Sequence, residues 1–280
     1  MLRKGLTLSA LGLALIGGAA QASTHAKEPA EIEWSFNGPF GQFDKAQLQR
    51  GYKVYREVCS ACHSMNLVYF RNLGQPGGPF YDPKYPNPND NPYVKSLAKD
   101  IQVKDIDSET GDSIQRPATP ADHFPAPFPN EPAARASNGG ALPPDLSVIA
   151  KAREGGPNYI HALLSGYVEP PAGLTVAPGQ HYNPYMAGDL ASYWTGKGHA
   201  PPGGFLAMPP PLAPNKVTFD DGSKSTVDQQ AKDVSAFLMW AAEPKMEERK
   251  RFGLGAMIYL FIFAGLLYAS YRKIWKNVAH

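Results

Sequence analysis

A chain of 280 residues with 27 basic and 25 acidic side chains, a formal net charge of +2 and 43% hydrophobic content has the composition of an ordinary globular protein with room for one or two domains. Its 28 prolines and 27 glycines make up about a fifth of the chain. That share argues against extensive regular sheet and for long loops around a modest helical core. Internal repeats, phosphate-binding glycine motifs and a nucleophile triad are not evident, and no nucleic-acid partner is expected.

The first residues read as an export signal. Arg3 and Lys4 form a positive region, Leu6 to Ala20 an apolar one, and Ala20-Gln21-Ala22 a small-residue cleavage site, so residues 1–22 are expected to be removed. The next periodic segment opens at Asp44, with Gln47 three residues later as in a capping box. Leu48, Gly51, Tyr52, Tyr55, Val58 and Cys62 follow at spacings of three and four, which predicts a helix from Asp44 to Cys59 with one apolar face. A glycine inside a helix costs about 1 kcal/mol relative to alanine, so Gly51 is expected where another helix crosses closely.

That helix runs into Cys59-Ser60-Ala61-Cys62-His63, which uses both cysteines of the chain. C-x-x-C-H is the attachment signature of a c-type haem. Two thiols three positions apart suit thioether links to one porphyrin edge, and the following imidazole can reach the iron. A thioredoxin-like dithiol would need a βαβ setting, and a zinc site would need a second pair of ligands.

Further along, residues 81–92 and 117–132 carry prolines too densely for helix or central strand and are expected to be surface loops. A short helix is predicted at about Asn158 to Gly166, closed by the glycine. Thr226 and Gln229 repeat the capping-box pattern, and Val227, Val234, Phe237, Leu238 and Trp240 form an apolar stripe ending before Pro244. This is the helix nominated to cross at Gly51, and it is expected to continue through Lys245 to Arg251 towards a membrane. Phe252 to Tyr271 gives twenty residues without a charge, about 30 Å of helix, so one transmembrane anchor is expected. Tyr268, Tyr271 and Trp275 would sit at its interface, with Arg272, Lys273 and Lys276 on the cytoplasmic side. The domains expected are therefore the signal, residues 1–22, an exported haem domain, 23–248, and an anchor with a short tail, 249–280.

Two basic residues lie in the signal and six in the anchor region, which leaves 19 against all 25 acidic residues and gives the exported body a formal charge of −6. Such a surface can steer a basic partner.

An electron carrier with histidine on one side of the iron commonly has methionine on the other. Met1 belongs to the signal, Met257 to the bilayer, Met246 to the membrane approach, Met239 to the C-terminal helix, and Met65 lies too near Cys62 to cross the ring. Met186 and Met208 remain. Met208 is preferred, because the prolines at 209–211 fix φ and stiffen the loop that would hold a weak ligand. His123, His161, His181 and His199 are alternatives that read more simply as ordinary histidines.

Several blocks together resemble one family. Gly51-Tyr52 with Val54-Tyr55, the run from Ala133 through Asn138-Gly139-Gly140 to Asp145-Leu146-Ser147, Gly166-Tyr167 with Glu169-Pro170-Pro171, Ala207-Met208-Pro209-Pro210, and Ala231-Lys232-Asp233-Val234 to Trp240-Ala241-Ala242-Glu243-Pro244 are similar to cytochrome c1. That family is the c-type haem subunit of the ubiquinol-cytochrome c oxidoreductase, or cytochrome bc1 complex. The resemblance implies a mainly α, class I cytochrome c-like haem domain with long Pro/Gly-rich loops and one C-terminal transmembrane helix. It implies one covalently attached haem c, held by Cys59 and Cys62, with His63 as proximal and Met208 as distal ligand. Arg153 and Tyr159 would contact the propionates, and Pro143 or Pro144 would offer a carbonyl to the second nitrogen of His63. The partners implied are a cytochrome b subunit, the Rieske iron-sulfur protein and a soluble basic c-type cytochrome, within a dimeric complex in a bacterial inner membrane. The stretch from Met186 to Gly204 is longer than in mitochondrial-type members, and the chain lacks the cysteines of an extra disulfide found in some bacterial ones.

Other readings are a membrane-anchored c-type cytochrome of a different respiratory oxidoreductase, a substrate-active haem enzyme with an open sixth position, and a thiol-redox module without haem.

Overall fold

The computed structural model describes residues 26–277. The expected export signal lies outside the described residues. In chain order the helices are α1 (Lys45–Val54), α2 (Pro92–Lys99), α3 (Glu131–Ser137), α4 (Ile149–Ala152), α5 (Gly156–Ser165), α6 (Val227–Ala242) and α7 (Met246–Trp275). The strands are β1 (Gln102–Ile106), β2 (Ser113–Pro117), β3 (His181–Asn183) and β4 (Gly204–Leu206).

Helix α1 begins where the Asp44 side chain accepts the Gln47 backbone N–H at 3.1 Å, satisfying an amide that a helix start leaves unpaired. The rod continues to Cys59, but its last turn, Tyr55–Cys59, is a wide π-type turn in which the Ser60 N–H reaches back to the Tyr55 carbonyl. Helix α6 starts in the same way, with Thr226 Oγ1 accepting the Gln229 N–H at 3.1 Å.

The two helices cross at Gly51. A Cβ there would lie 2.1 Å from the Asp233 carbonyl oxygen and 2.6 Å from Phe237 Cβ, so only glycine fits the crossing. Beside it the fully buried Asp233 carboxylate accepts from Arg50 Nε at 2.8 Å and Nη2 at 3.2 Å, and from Gln229 Nε2 at 2.9 Å. A buried charge persists only when paired in this way, and Asp233 holds the Arg50 guanidinium above its ordinary value. Around this ion pair Leu48, Tyr52, Val54 and Tyr55 of α1 pack with Val234, Phe237, Leu238 and Trp240 of α6 and with Phe124 in one core. Tyr52 and Tyr55 both meet Phe237, with ring centroids 5.7 and 5.8 Å apart.

Helices α4 and α5 also pack against α6. The turn between them passes through Gly155 (φ 77°) and Gly156 (φ 51°), left-handed positions that a β-carbon would strain. The helix expected from Asn158 starts two residues earlier, because Pro157 sits in its first turn, where a missing N–H costs nothing.

The strands form two antiparallel pairs. In the first, Gln102 faces Pro117 and Ile106 faces Ser113; in the second, His181 faces Leu206 and Asn183 faces Gly204. Periodicity does not indicate either hairpin, since strands of three to five residues are too short to show an alternation. The second hairpin has its own small core of Leu174, Tyr182 and Leu190, with Val176, Trp194, Ala200 and Phe205 packed on it. The long stretch from Met186 to Gly204 is therefore folded around an apolar centre. The proline-dense segments are largely irregular, although Pro88–Asp90 forms a short 3-10 turn and Pro132 lies in the first turn of α3.

One expectation needs correction. The C-terminal helix does not run unbroken towards the membrane: α6 stops at Ala242, Glu243 adopts φ −149° and ψ 67°, and α7 begins afresh at Met246. Pro244 lacks an N–H and pushes the residue before it out of the helical region. Helix α7 has 30 residues, and its 18-residue apolar window, with mean hydropathy 2.0, contains no buried residue. Its base is fastened to the domain. Met246 is buried, Glu247 Oε1 accepts the Phe43 N–H at 2.8 Å, and Lys250 Nζ donates to the carbonyls of Phe36 and Gly41 at 2.7 and 3.2 Å.

Candidate haem site

The π-type turn ends on Cys59 and delivers Cys59, Cys62 and His63 at the end of α1. Wide turns of this kind gather at functional positions, since they shift the register of the side chains that follow. Both cysteines are free thiols, Cys62 exposed and Cys59 partly covered. Burial pushes the Cys59 thiol up to about 12, against the opposing pull of Lys216. This is the reverse of the lowered value that a redox-active dithiol needs.

His63 is fixed from the opposite strand of chain. Its Nδ1 lies 2.8 Å from the Pro144 carbonyl oxygen. A carbonyl can only accept, so the proton sits on Nδ1 and the lone pair of Nε2 is left for an electrophile. Burial lowers the imidazole below its ordinary value, opposed by Pro144 and Asp145, and favours the neutral form that a metal requires.

Pro144 is positioned by the residues after it. Asp145 Oδ2 accepts from Ser64 Oγ at 2.8 Å and from the Asn66 N–H at 2.9 Å, its Oδ1 accepts the Ser147 N–H at 2.8 Å, and Ser147 Oγ accepts the Leu67 N–H at 3.0 Å. The Leu146 N–H completes the clamp on the Ser64 carbonyl at 2.8 Å. These bonds hold the Asp145 carboxyl below its ordinary value although burial acts to raise it. Residues 144–147 and 63–67 thus form one rigid unit. The role of Asp145 and Ser147 was not read from sequence. Asp-Leu-Ser is a short polar run with no periodicity, and only its place in a similar block singled it out.

Met208 follows β4 and is partly buried. The loop after it returns to the cysteine side: Leu212 enters the main core, and Lys216, whose Nζ donates to the Pro211 carbonyl at 2.8 Å, is the cation acting on Cys59. The Tyr167 hydroxyl donates to the Met208 carbonyl at 3.0 Å. That bond uses the backbone and leaves the thioether out of it. Met186 differs, because its sulfur is the acceptor of the Tyr159 hydroxyl at 3.8 Å.

Arg153 caps the end of α4 and Tyr159 stands one turn into α5, close enough for the guanidinium to act on the phenol electrostatically. The two are brought to one place by the double-glycine turn, and both present donors suited to carboxylates. The four alternative histidines have separate surroundings, and His199 is exposed. His161 Nε2 lies 2.9 Å from Asp228 Oδ1, the His123 ring lies tilted against Tyr69 with centroids 3.7 Å apart, and His181 belongs to β3.

The donor set therefore fits a c-type haem: two free thiols at the attachment spacing, an imidazole with its outer nitrogen bonded and its inner one available, and a methionine on a proline-stiffened loop. Comparison with known proteins agrees. The model of the Cytochrome C1 family matches residues 34–278. The chain belongs to the cytochrome c1 family. Cytochrome c1 of Rhodospirillum rubrum is 43% identical over 98% of this chain and 97% of its own length. The mitochondrial cytochrome c1 haem protein of Kluyveromyces lactis is 44% identical over 88% of this chain and 76% of its own. A protein of Bradyrhizobium diazoefficiens named cytochrome b/c1 is 44% identical over 97% of this chain, which spans only 39% of that longer polypeptide. As a cytochrome c1 the chain is a haem electron-transfer subunit with covalently attached haem c, anchored in a membrane by α7.

Proposed function

We propose that this cytochrome c1 is the relay subunit of a bc1-type quinol-cytochrome c oxidoreductase, taking one electron from a Rieske iron-sulfur protein and passing it to a soluble basic c-type cytochrome. A cytochrome b subunit is its neighbour in the bilayer, within a dimeric complex; the joint name of the Bradyrhizobium relative supports that pairing. Residues 1–22 direct export, residues 23–248 form the haem domain in the periplasm, and residues 249–280 anchor it in the inner membrane of a bacterium.

The observation that carries this reading is the C-x-x-C-H motif whose His63 is oriented by the Pro144 carbonyl at 2.8 Å. When bound, the haem supplies a one-electron iron couple. Cys59 and Cys62 would hold it through thioethers, and His63 would offer Nε2 to the iron. Met208 would offer its thioether as the second protein ligand, which would favour the reduced state relative to a second imidazole. Arg153 would donate to the propionates, and Tyr159 would do so by turning its hydroxyl from the long 3.8 Å contact with the Met186 sulfur. With His63 and Met208 both given to the iron, no substrate would bind there, and the quinol chemistry would belong to the partner subunits.

Replacing Met208 by leucine in the membrane-embedded complex is expected to abolish the weak red methionine-to-iron band of the ferric state and to lower the reduction potential sharply. An unchanged spectrum and potential would transfer the ligand role to Met186.

A further inference from the structure

We infer that Tyr167 is a positioning residue for Met208: its hydroxyl ties the backbone of the ligand loop to helix α5 and keeps the thioether in reach of the metal. The inference rests on Met208 being the distal ligand and adds a residue that acts only through it.

Three observations support it. First, the Tyr167 hydroxyl donates to the Met208 carbonyl itself, at 3.0 Å and across 41 positions of sequence. A bond to the carbonyl restrains the ligand residue without competing for its sulfur. Second, Tyr167 is itself fixed. It follows the C-cap Gly166, where an added Cβ would lie 2.4 Å from the Ala162 carbonyl and 2.5 Å from the Tyr185 ring, so the chain leaves α5 along a single tightly packed path. Helix α5 in turn rests on α6, the centre of the main core. Third, the chain meets the helices well upstream of the ligand, where Asn183 Nδ2 donates to the Leu163 carbonyl of α5 at 2.8 Å and the Met186 sulfur accepts from the Tyr159 hydroxyl, and it then passes through β4 before reaching Met208. Phe205 of β4 packs on the separate small core of Leu174, Tyr182 and Leu190, and β4 pairs only with β3. Downstream, Leu212 is the next residue of this loop in the main core. Between β4 and Leu212, Tyr167 is thus a direct link from Met208 to the helical framework.

A methionine–iron bond is weak, so its occupancy depends on how far the loop wanders when it opens. Losing one hydrogen bond of ordinary strength would raise the population of opened loop about fivefold. Prolines 209–211 stiffen the loop internally but cannot hold it against the domain.

The test is Tyr167→Phe in the intact complex, which keeps the ring and removes only the hydroxyl. Haem staining should show normal covalent attachment, and the spectrum should remain low-spin at low temperature. The red methionine-to-iron band should weaken on warming at a lower temperature than in the parent, the rate of carbon monoxide binding to the ferrous protein should rise about fivefold, in line with the opened population, and the potential should fall. Tyr167→His, which keeps a donor, should restore part of the band and serves also if the phenylalanine variant accumulates poorly. Met208→Leu run in parallel separates the two readings. If it leaves the band intact, the ligand assignment fails. If it removes the band while Tyr167→Phe leaves band, carbon monoxide rate and potential at parental values, the positioning role is overturned and the ligand assignment stands.

Discussion

At the scale of single residues, the α1–α6 crossing depends on the missing side chain at Gly51. Gly51→Ala places a carbon 2.1 Å from the Asp233 carbonyl oxygen, which is backbone and cannot move aside cheaply. The helices must separate, and the separation pulls on the Arg50–Asp233 pair next to it. Overpacking of this kind costs about 1–3 kcal/mol, with further loss if the buried carboxylate loses a partner. Thermal unfolding of the detergent-solubilised protein should show a clearly lowered midpoint, and a midpoint equal to the parent's would contradict the crossing. This glycine was legible beforehand, since it stands on an apolar helical face where propensity alone disfavours it. Its partners were not. Nothing in a linear pattern says that Asp233, on the other helix, is the charge that Arg50 meets.

At the scale of elements, the β1–β2 hairpin is largely exposed, meets the main core through Val103, and is tied down by charge. Arg116 reaches both Asp105 within the hairpin and Asp122 beyond it, with Nη1 2.7 Å from Asp122 Oδ2 and Nη2 2.8 Å from Oδ1. Arg116 holds the carboxyls of Asp105 and Asp122 below their ordinary 3.8, and the Thr119 N–H adds to this at Asp122. Because the folded values lie below the unfolded one, the tie is fully present above about pH 4 and is lost as pH falls through the folded values. Hydrogen-exchange protection factors over residues 102–117 should therefore be flat at neutral and mildly acidic pH and should decline below it. Arg116→Gln should lower them at neutral pH while leaving the haem spectrum and the global midpoint nearly unchanged, as expected for a half-exposed pair. A large fall in global stability would show that the hairpin belongs to the main folding unit.

At the scale of the whole molecule, charge and anchorage act together. The part outside the signal and anchor carries a formal charge of −6, and electron delivery to a basic acceptor should slow as salt rises from about 0.01 to 0.15 M, where the Debye length shrinks from about 30 to 8 Å. A rate that stays constant or rises over that range would remove electrostatic steering from the account.

The sequence by itself determined what is local in the chain: the attachment motif at 59–63, the capped starts of α1 and α6, the helix closed by Gly166, and an apolar span long enough for a bilayer. Each depends on residues within a turn or two of one another, or on the length of a single element. The tertiary structure decided what depends on distant partners. It brought Pro144 to His63 across 81 positions, Tyr167 to Met208 across 41 and Asp233 to Arg50 across 183. It also gave the stretch from Met186 to Gly204 a core of its own, and it broke the final helix at Pro244 so that α7 starts separately. Side-chain donors and acceptors acquire their partners only when packing of the apolar faces brings separate elements together, and no local spacing encodes those pairings.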